Sequence, residues 1–148
     1  MTELIRLRCD PKHPEECSKE LSNALDEGAW VQLLSAIGQT ESIPNHLLPK
    51  GPGVVISSGG SSDGPHQCLQ PCKNLDQSAL ATGQWLKAQG LEPKDCVILN
   101  PLPLHHVSGL MPWWRSRVWR TKHIWLKPYL MRDPVILEES CRALVKKE

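Results

Sequence analysis

No run of apolar residues in this sequence approaches the roughly 20 needed to span a bilayer, which excludes an ordinary membrane helix. The opening residues, MTELIRLRCD, are too polar for the apolar core of a secretory signal, so the default expectation is a cytoplasmic protein. An excess of one charge is missing too: 17 Lys and Arg against 16 Asp and Glu leave a net charge of +1. Bulk charge therefore argues for neither nucleic acid nor a membrane surface as partner. Phenylalanine is absent while there are six tryptophans, a balance for which there is no evident physical cause. Internal repeats and low-complexity tracts are absent as well.

The remainder is ordinary for a globular protein. At 148 residues, 40% hydrophobic and 22% charged, the chain predicts one domain. Cys9, Cys17, Cys68, Cys72, Cys96 and Cys141 are even in number, but without a secretion signal they read as reduced thiols.

Apolar spacing through Leu21, Ala24, Leu25, Trp30, Leu33 and Leu34 predicts helix over residues 14–37, with Gly28 as a break or kink. The prolines of residues 38–52 read as a connection. Residues 54–56 predict a short buried strand. A helix capped by Asn74 or Asp76 runs to Gln89, with Gly90 as its stop. CVILN, residues 96–100, predicts a second strand, and this strand–loop–helix–strand order predicts a βαβ unit and a parallel α/β sheet. Residues 123–128 predict a third strand. Asp133 and Pro134 open a last helix with an apolar stripe at Leu137, Cys141, Leu144 and Val145.

Two stretches carry chemistry. In VVISSGGSSDGPH, residues 54–66, a strand empties into a loop of glycines and hydroxyls. Such a loop presents backbone N–H groups that suit an anion. The spacing Gly59-x4-Gly64 is that of a Walker A loop, but Pro65 and His66 stand where Lys and Ser/Thr are required, which argues against a P-loop kinase or GTPase. Downstream of CVILN comes PLPLHHVSGLMPWW.

The pair ISSGGSSDGPH and LPLHHVSGL, in this order, resembles the AMP-forming acyl-CoA synthetase superfamily, whose members carry a Thr-Ser-Gly-Thr-Thr-Gly-x-Pro-Lys phosphate loop and then an LPLFHxxGL motif. The resemblance covers residues 50–135 and is most like the o-succinylbenzoate-CoA ligases of cyanobacterial type, enzymes of menaquinone or phylloquinone biosynthesis. It implies ATP-dependent adenylation of a carboxylate, followed by attack of CoA thiol. It also implies that Ser58, Gly59, Gly60, Ser61, Ser62, Gly64, Pro65 and His66 form the nucleotide-phosphate loop. His106, Ser108 and Gly109 would lie beside the acyl substrate. Asp63 replaces a family glycine and is adverse to phosphate. His66 replaces the family lysine, so a permanent positive charge is lost there. His105 replaces the common phenylalanine. No catalytic residue is assigned.

ATP, Mg2+ and CoA are the cofactors that the family implies, but the family's later motifs, with the magnesium and CoA sites, have no counterpart in this sequence. The expectation is a single incomplete adenylation domain over 1–148: a helical region and connection at 1–52, the two-motif core at 53–135 and a terminal helix at 134–148. Such a truncated chain is expected to be inactive alone. Its partners would be a small-molecule carboxylate and a chain supplying the missing domain.

Two other readings weigh less. His66, Cys68 and Cys72, with Cys96 or His106, could ligate zinc, but structural zinc sites use two tight pairs, so no metal is assigned. Residues 113–127 mix five basic side chains with four tryptophans, a pattern that fits a nucleic-acid or partner-binding module. Near-neutral net charge favours tryptophans packed in the core instead, so no nucleic acid is favoured.

Overall fold

The computed structural model describes residues 4–58 and 66–146. The fold is mixed α/β, with a parallel-rich sheet flanked by helices. Strand β1 (Leu4–Cys9) alternates, with Leu7 and Cys9 buried and Arg6 and Arg8 exposed. Helix α1 (Pro14–Asp26) starts with Pro in its first turn and with Glu15 and Glu16 near its positive end. It buries Cys17, Leu21, Ala24 and Leu25, one stripe at helical spacing. Gly28, at φ 86°, turns the chain out of the helix, and its N–H donates to the Leu25 carbonyl at 3.0 Å.

The helix expected over 14–37 therefore ends at Asp26, and residues Trp30–Ser35 form strand β2 instead. Trp30, Leu33 and Leu34 fit the helical period, and the strand they form shows no alternation of its own. The deciding fact is that β2 is central and covered on both faces, so its apolar run is continuous rather than alternating. Strand β2 pairs in parallel with β1 and with β3 (Gly53–Ser58).

After the glycine loop the chain does not enter a helix. It returns as β4 (His66–Pro71), antiparallel to β3, with Ser58 opposite His66. Helix α2 (Cys72–Ala88) then begins two residues before Asn74 and stops ahead of Gly90, which has φ 87°. Strand β5 (Val97–Asn100) does not join the first sheet. It pairs in parallel with β6 (Lys122–Trp125), across helix α3 (Val107–Trp119). The parallel crossover units are thus β1–α1–β2 and β5–α3–β6, not the expected unit from β3 to β5. Helix α4 (Pro134–Lys146) has its cap at Asp133, whose Oδ1 accepts from the N–H groups of Val135 and Ile136 at 3.0 and 3.3 Å. Short 3-10 turns at Asn45–Leu47, Pro93–Asp95 and Pro128–Arg132 complete the path.

One face of the four-stranded sheet, carrying Leu7, Cys9, Val31, Leu33, Val54 and Ile56, meets α1, α2 and α3 in the main core. The other face lies under the connection of residues 36–52. There Trp30 Nε1 donates to the Pro49 carbonyl and Gln32 Nε2 to the Glu41 carbonyl, each at 2.9 Å, and Arg6 binds the Thr40 carbonyl. Gly53 lies against the Trp30 indole, where any Cβ would collide with the ring.

Candidate functional site

Parallel strands present their carboxyl ends at one edge of a sheet, and connections there leave crevices suited to ligands. In this fold β2, β3 and β5 end at Ser35, Ser58 and Asn100. Both motifs singled out in the sequence follow directly after two of these ends.

The first motif is the end of the β3–β4 hairpin. Ser57 faces Gln67 across the ladder, and Gln67 Nε2 donates to Ser57 Oγ at 2.8 Å. Ser58 Oγ donates to the His66 carbonyl at 3.3 Å, and both residues are exposed. Gly59, Gly60, Ser61, Ser62, Gly64 and Pro65 lie outside the described residues. The hairpin geometry rules out a Walker-type arrangement, in which a helix N-terminus would follow the loop.

The second motif is a turn pinned from behind by Asn100. Its Oδ1 accepts from the Leu102 N–H at 3.1 Å, and its Nδ2 donates to the Gly109 carbonyl at 2.8 Å. The same Nδ2 lies 3.1 Å from His123 Nε2. Desolvation lowers the His123 pKa to about 4, which leaves Nε2 free to accept. Gly109 packs on the backbone of the turn. A Cβ there would sit 2.6 Å from the Leu102 carbonyl oxygen and closer still to that of Pro103. His106 precedes α3 as its cap residue, and its carbonyl accepts from Leu110 at 2.8 Å. The rings of His105 and His106 lie 4.3 Å apart. Burial, and then the neighbouring His106, lower the His105 pKa.

A hollow of about 570 Å³ joins the two motifs. Ser57 and Gln67 line it from the hairpin, His105 and His106 from the turn, Ser35 from β2 and Glu41 from the connection. A second hollow of about 340 Å³ lies on the other side of the hairpin end, between Ser58, Cys68, Leu75, Val107 and Met111. His106 lines the first hollow and Ser58 the second, while His66 pairs with Ser58 across the ladder and lines neither. Ser108 is exposed on the first turn of α3, and Gly109 stands behind the turn. Sequence reasoning missed Ser57, Gln67, Glu41 and Asn100. Only Asn100 left a signal, as a polar residue closing an apolar strand.

The first hollow offers hydroxyl, amide and imidazole groups beside the Glu41 carboxylate, and its lining includes no lysine or arginine. Such groups fit a polar ligand with phosphate or carboxylate oxygens. Among the described residues no three His, Cys, Asp or Glu side chains are grouped to hold a metal ion. His66, Cys68 and Cys72 form no such group either. Burial, with Asp76 nearby, raises the Cys72 thiol to about 11.

Of the four tryptophans in residues 113–127, two are buried and two half-buried. Trp113 and Trp114 are 8% and 2% exposed, which leaves no open face for stacking a base. Trp114 Nε1 donates to Asp76 Oδ1 and Trp119 Nε1 to the Ala79 carbonyl, each at 2.8 Å. Arg117 lies 5.0 Å from the centroids of both Trp113 and Trp114 and 3.5 Å from Asp26. No helix among the described residues is long and apolar enough to cross a membrane.

No protein-family model matches the sequence, and no curated protein matches it significantly. Solved structures do. The o-succinylbenzoate-CoA synthetase of Bacillus subtilis, in complex with the acyl-adenylate intermediate OSB-AMP, is similar over 95% of this chain, with a TM-score of 0.52 and 14% identity. A double mutant of that enzyme, bound with its product analogue OSB-NCoA, is similar over 95% of this chain at a TM-score of 0.50 and 13% identity. The chain spans 47% and 37% of those two chains. At such identity the likeness shows the fold: this chain is folded like part of an enzyme that forms an acyl adenylate.

Proposed function

We propose that this chain carries the phosphate-loop and histidine-turn portion of an AMP-forming acid–CoA ligase, with o-succinylbenzoate as the acid and menaquinone biosynthesis as the setting. One observation carries the reading. Two motifs far apart in sequence, the β3–β4 hairpin end and the His105–His106 turn, converge on one hollow at the carboxyl ends of β2, β3 and β5. The fold likeness to an o-succinylbenzoate-CoA synthetase supports it.

In this reading the loop after Ser58, through Gly59, Gly60, Ser61, Ser62, Gly64 and Pro65, receives phosphate oxygens by N–H and hydroxyl donation. His66, at the start of β4, stands at the loop's exit, and His106 borders the acyl end. Ser108 and Gly109 complete the substrate turn, Gly109 by allowing its close packing. ATP and CoA are the co-substrates. The lining of the hollow supplies no fixed cation, and adenylation depends on positioned charge around the transferring phosphoryl group. We therefore infer that this chain binds the acyl adenylate weakly and needs further polypeptide to make it.

The test is calorimetric binding of a non-hydrolysable o-succinylbenzoyl-adenylate analogue. Saturable binding that weakens in His106→Ala is expected, with no acid-dependent ATP–pyrophosphate exchange by the chain alone. Absence of binding overturns the site. Exchange above that of a His66→Ala control overturns the inferred dependence on further polypeptide.

A further inference from the structure

Two buried thiols lie outside the site described above. Cys9 closes β1, and Cys17 lies in the first turn of α1. Both are free. The chain between them is a tight turn held by Asp10. Its carbonyl accepts from the His13 N–H at 3.0 Å, and its Oδ1 accepts from the Lys12 N–H at 2.9 Å. The turn folds the helix back onto the strand it left. Cys17 Sγ therefore donates to the Arg8 carbonyl at 3.6 Å, beside Cys9, whose own Sγ donates to the Leu7 carbonyl at 3.9 Å.

The two side chains act on each other's protons. Burial pushes the Cys9 thiol up to about 12, and the neighbouring Cys17 adds to the rise. Burial raises Cys17 as well, but there the hydrogen bond from Cys9 opposes the rise. Both cysteines also line one hollow of about 80 Å³, whose other walls include five prolines and His105. A water needs about 10–15 Å³ of such space. Hydrogen peroxide therefore enters this hollow, whereas a bulky disulfide such as oxidised glutathione does not.

We propose that Cys9 and Cys17 form a redox pair, a site at which hydrogen peroxide drives a disulfide that ties the first turn of α1 to the end of β1. The inference stands apart from the ligase reading. Cys17 attacks the peroxide first: an S–O bond forms, the O–O bond breaks and one water leaves with the thiol proton. The Cys17 sulfur is oxidised to a sulfenic acid, and the peroxide is reduced. The Cys9 sulfur then displaces that hydroxyl, which departs as a second water with the Cys9 proton, and the S–S bond closes. Two thiols and one peroxide thus give one disulfide and two waters. Burial holds both thiols protonated, and the thiolate is the nucleophile, so the pair answers sustained oxidant rather than a brief pulse.

The test is tryptic mapping of the native full chain, with and without hydrogen peroxide, each sample alkylated in denaturant before digestion. Cleavage after Lys12 separates the two cysteines, so a bridge joins two peptides. The expected result is a Cys9–Cys17 cross-linked pair, lighter by two hydrogens than the free peptides together, that forms only with peroxide and disappears with dithiothreitol. Cys9→Ser is expected to leave Cys17 as a sulfenic acid that dimedone traps, and Cys17→Ser to leave Cys9 untrapped. Circular dichroism checks the fold of both variants, and the wild-type map decides the pairing without them. If the native chain yields no such cross-link, whether or not the half-buried Cys68, Cys96 and Cys141 oxidise, the inference fails. If the cross-link forms only in urea, it belongs to the unfolded chain and the inference fails equally. Trapping on Cys9 in Cys17→Ser, with none on Cys17 in Cys9→Ser, overturns the order of the two steps.

Discussion

His123 sits half-buried on β6 with Asn100 Nδ2 3.1 Å from its Nε2. Desolvation by burial moves its pKa from 6.5 to about 4, so the folded protein holds the ring neutral where the unfolded chain takes up a proton. The sign follows from linkage. Between these two pKa values the unfolded state binds more protons, so stability rises with pH. The contribution is complete above pH 6.5 and is lost as pH falls toward 4. Burial shifts the half-buried His105 in the same direction and adds to the same slope. Urea midpoints are therefore expected to be level above pH 7 and to decline between pH 6.5 and 4. His123→Gln should flatten that decline, and a variant as steep as wild type would refute the assignment. The residue scale also shows where sequence reading stops. Ser58, His66 and His106 were singled out as candidates by motif spacing. Asn100 was not, because its role is to reach both Gly109 and His123, and only the folded chain brings these together.

The tryptophans of α3 act at the scale of elements. They fasten α3 to α2 through the Trp114–Asp76 and Trp119–Ala79 hydrogen bonds, and Gly83 on α2 lets the Trp119 indole approach. Arg117 lies over two indoles and beside Asp26 on α1, so one basic side chain ties α3 to a second helix. A sequence window of alternating Trp and Arg does not distinguish this packing from a stacking platform, because the same residues serve either. Trp114→Ala is expected to cost about 3–5 kcal/mol, as for a large aromatic removed from a core. Chemical denaturation measures it. A loss below about 1 kcal/mol, within the range of surface substitutions, would mean that the indole is not part of the core. Elements were legible where local signals agree: α4 from Asp133 and Pro134, and the end of α2 from Gly90. Strand β2 was misread because a run buried on both faces has no period to show, and β4 because a hairpin and a strand–loop–helix leave similar glycine loops. Strand β1 and helix α3 were not anticipated.

At the scale of the whole molecule, packing is uneven along the chain. The four-stranded sheet, α1, α2 and α3 share one core, whereas α4 buries no residue and packs mainly on the Pro128–Arg132 turn. Tyr129, Met131, Val135 and Ile136 are 62%, 55%, 64% and 47% exposed, so a turn and the helix after it present large apolar side chains to water together. Among the described residues the β5–β6 sheet has two strands, and each has an unpaired edge. Parallel sheets are normally larger and covered on both faces, and open edges are templates for further pairing. These exposed apolar side chains, together with open edges, favour association over a dispersed monomer. Sedimentation velocity is expected to show self-association that grows with concentration. Met131→Lys and Val135→Lys together should suppress it if the patch drives it. If association persists in that double variant, the sheet edges are responsible instead. A wild-type chain that stays monomeric at all concentrations would show that neither surface is sticky.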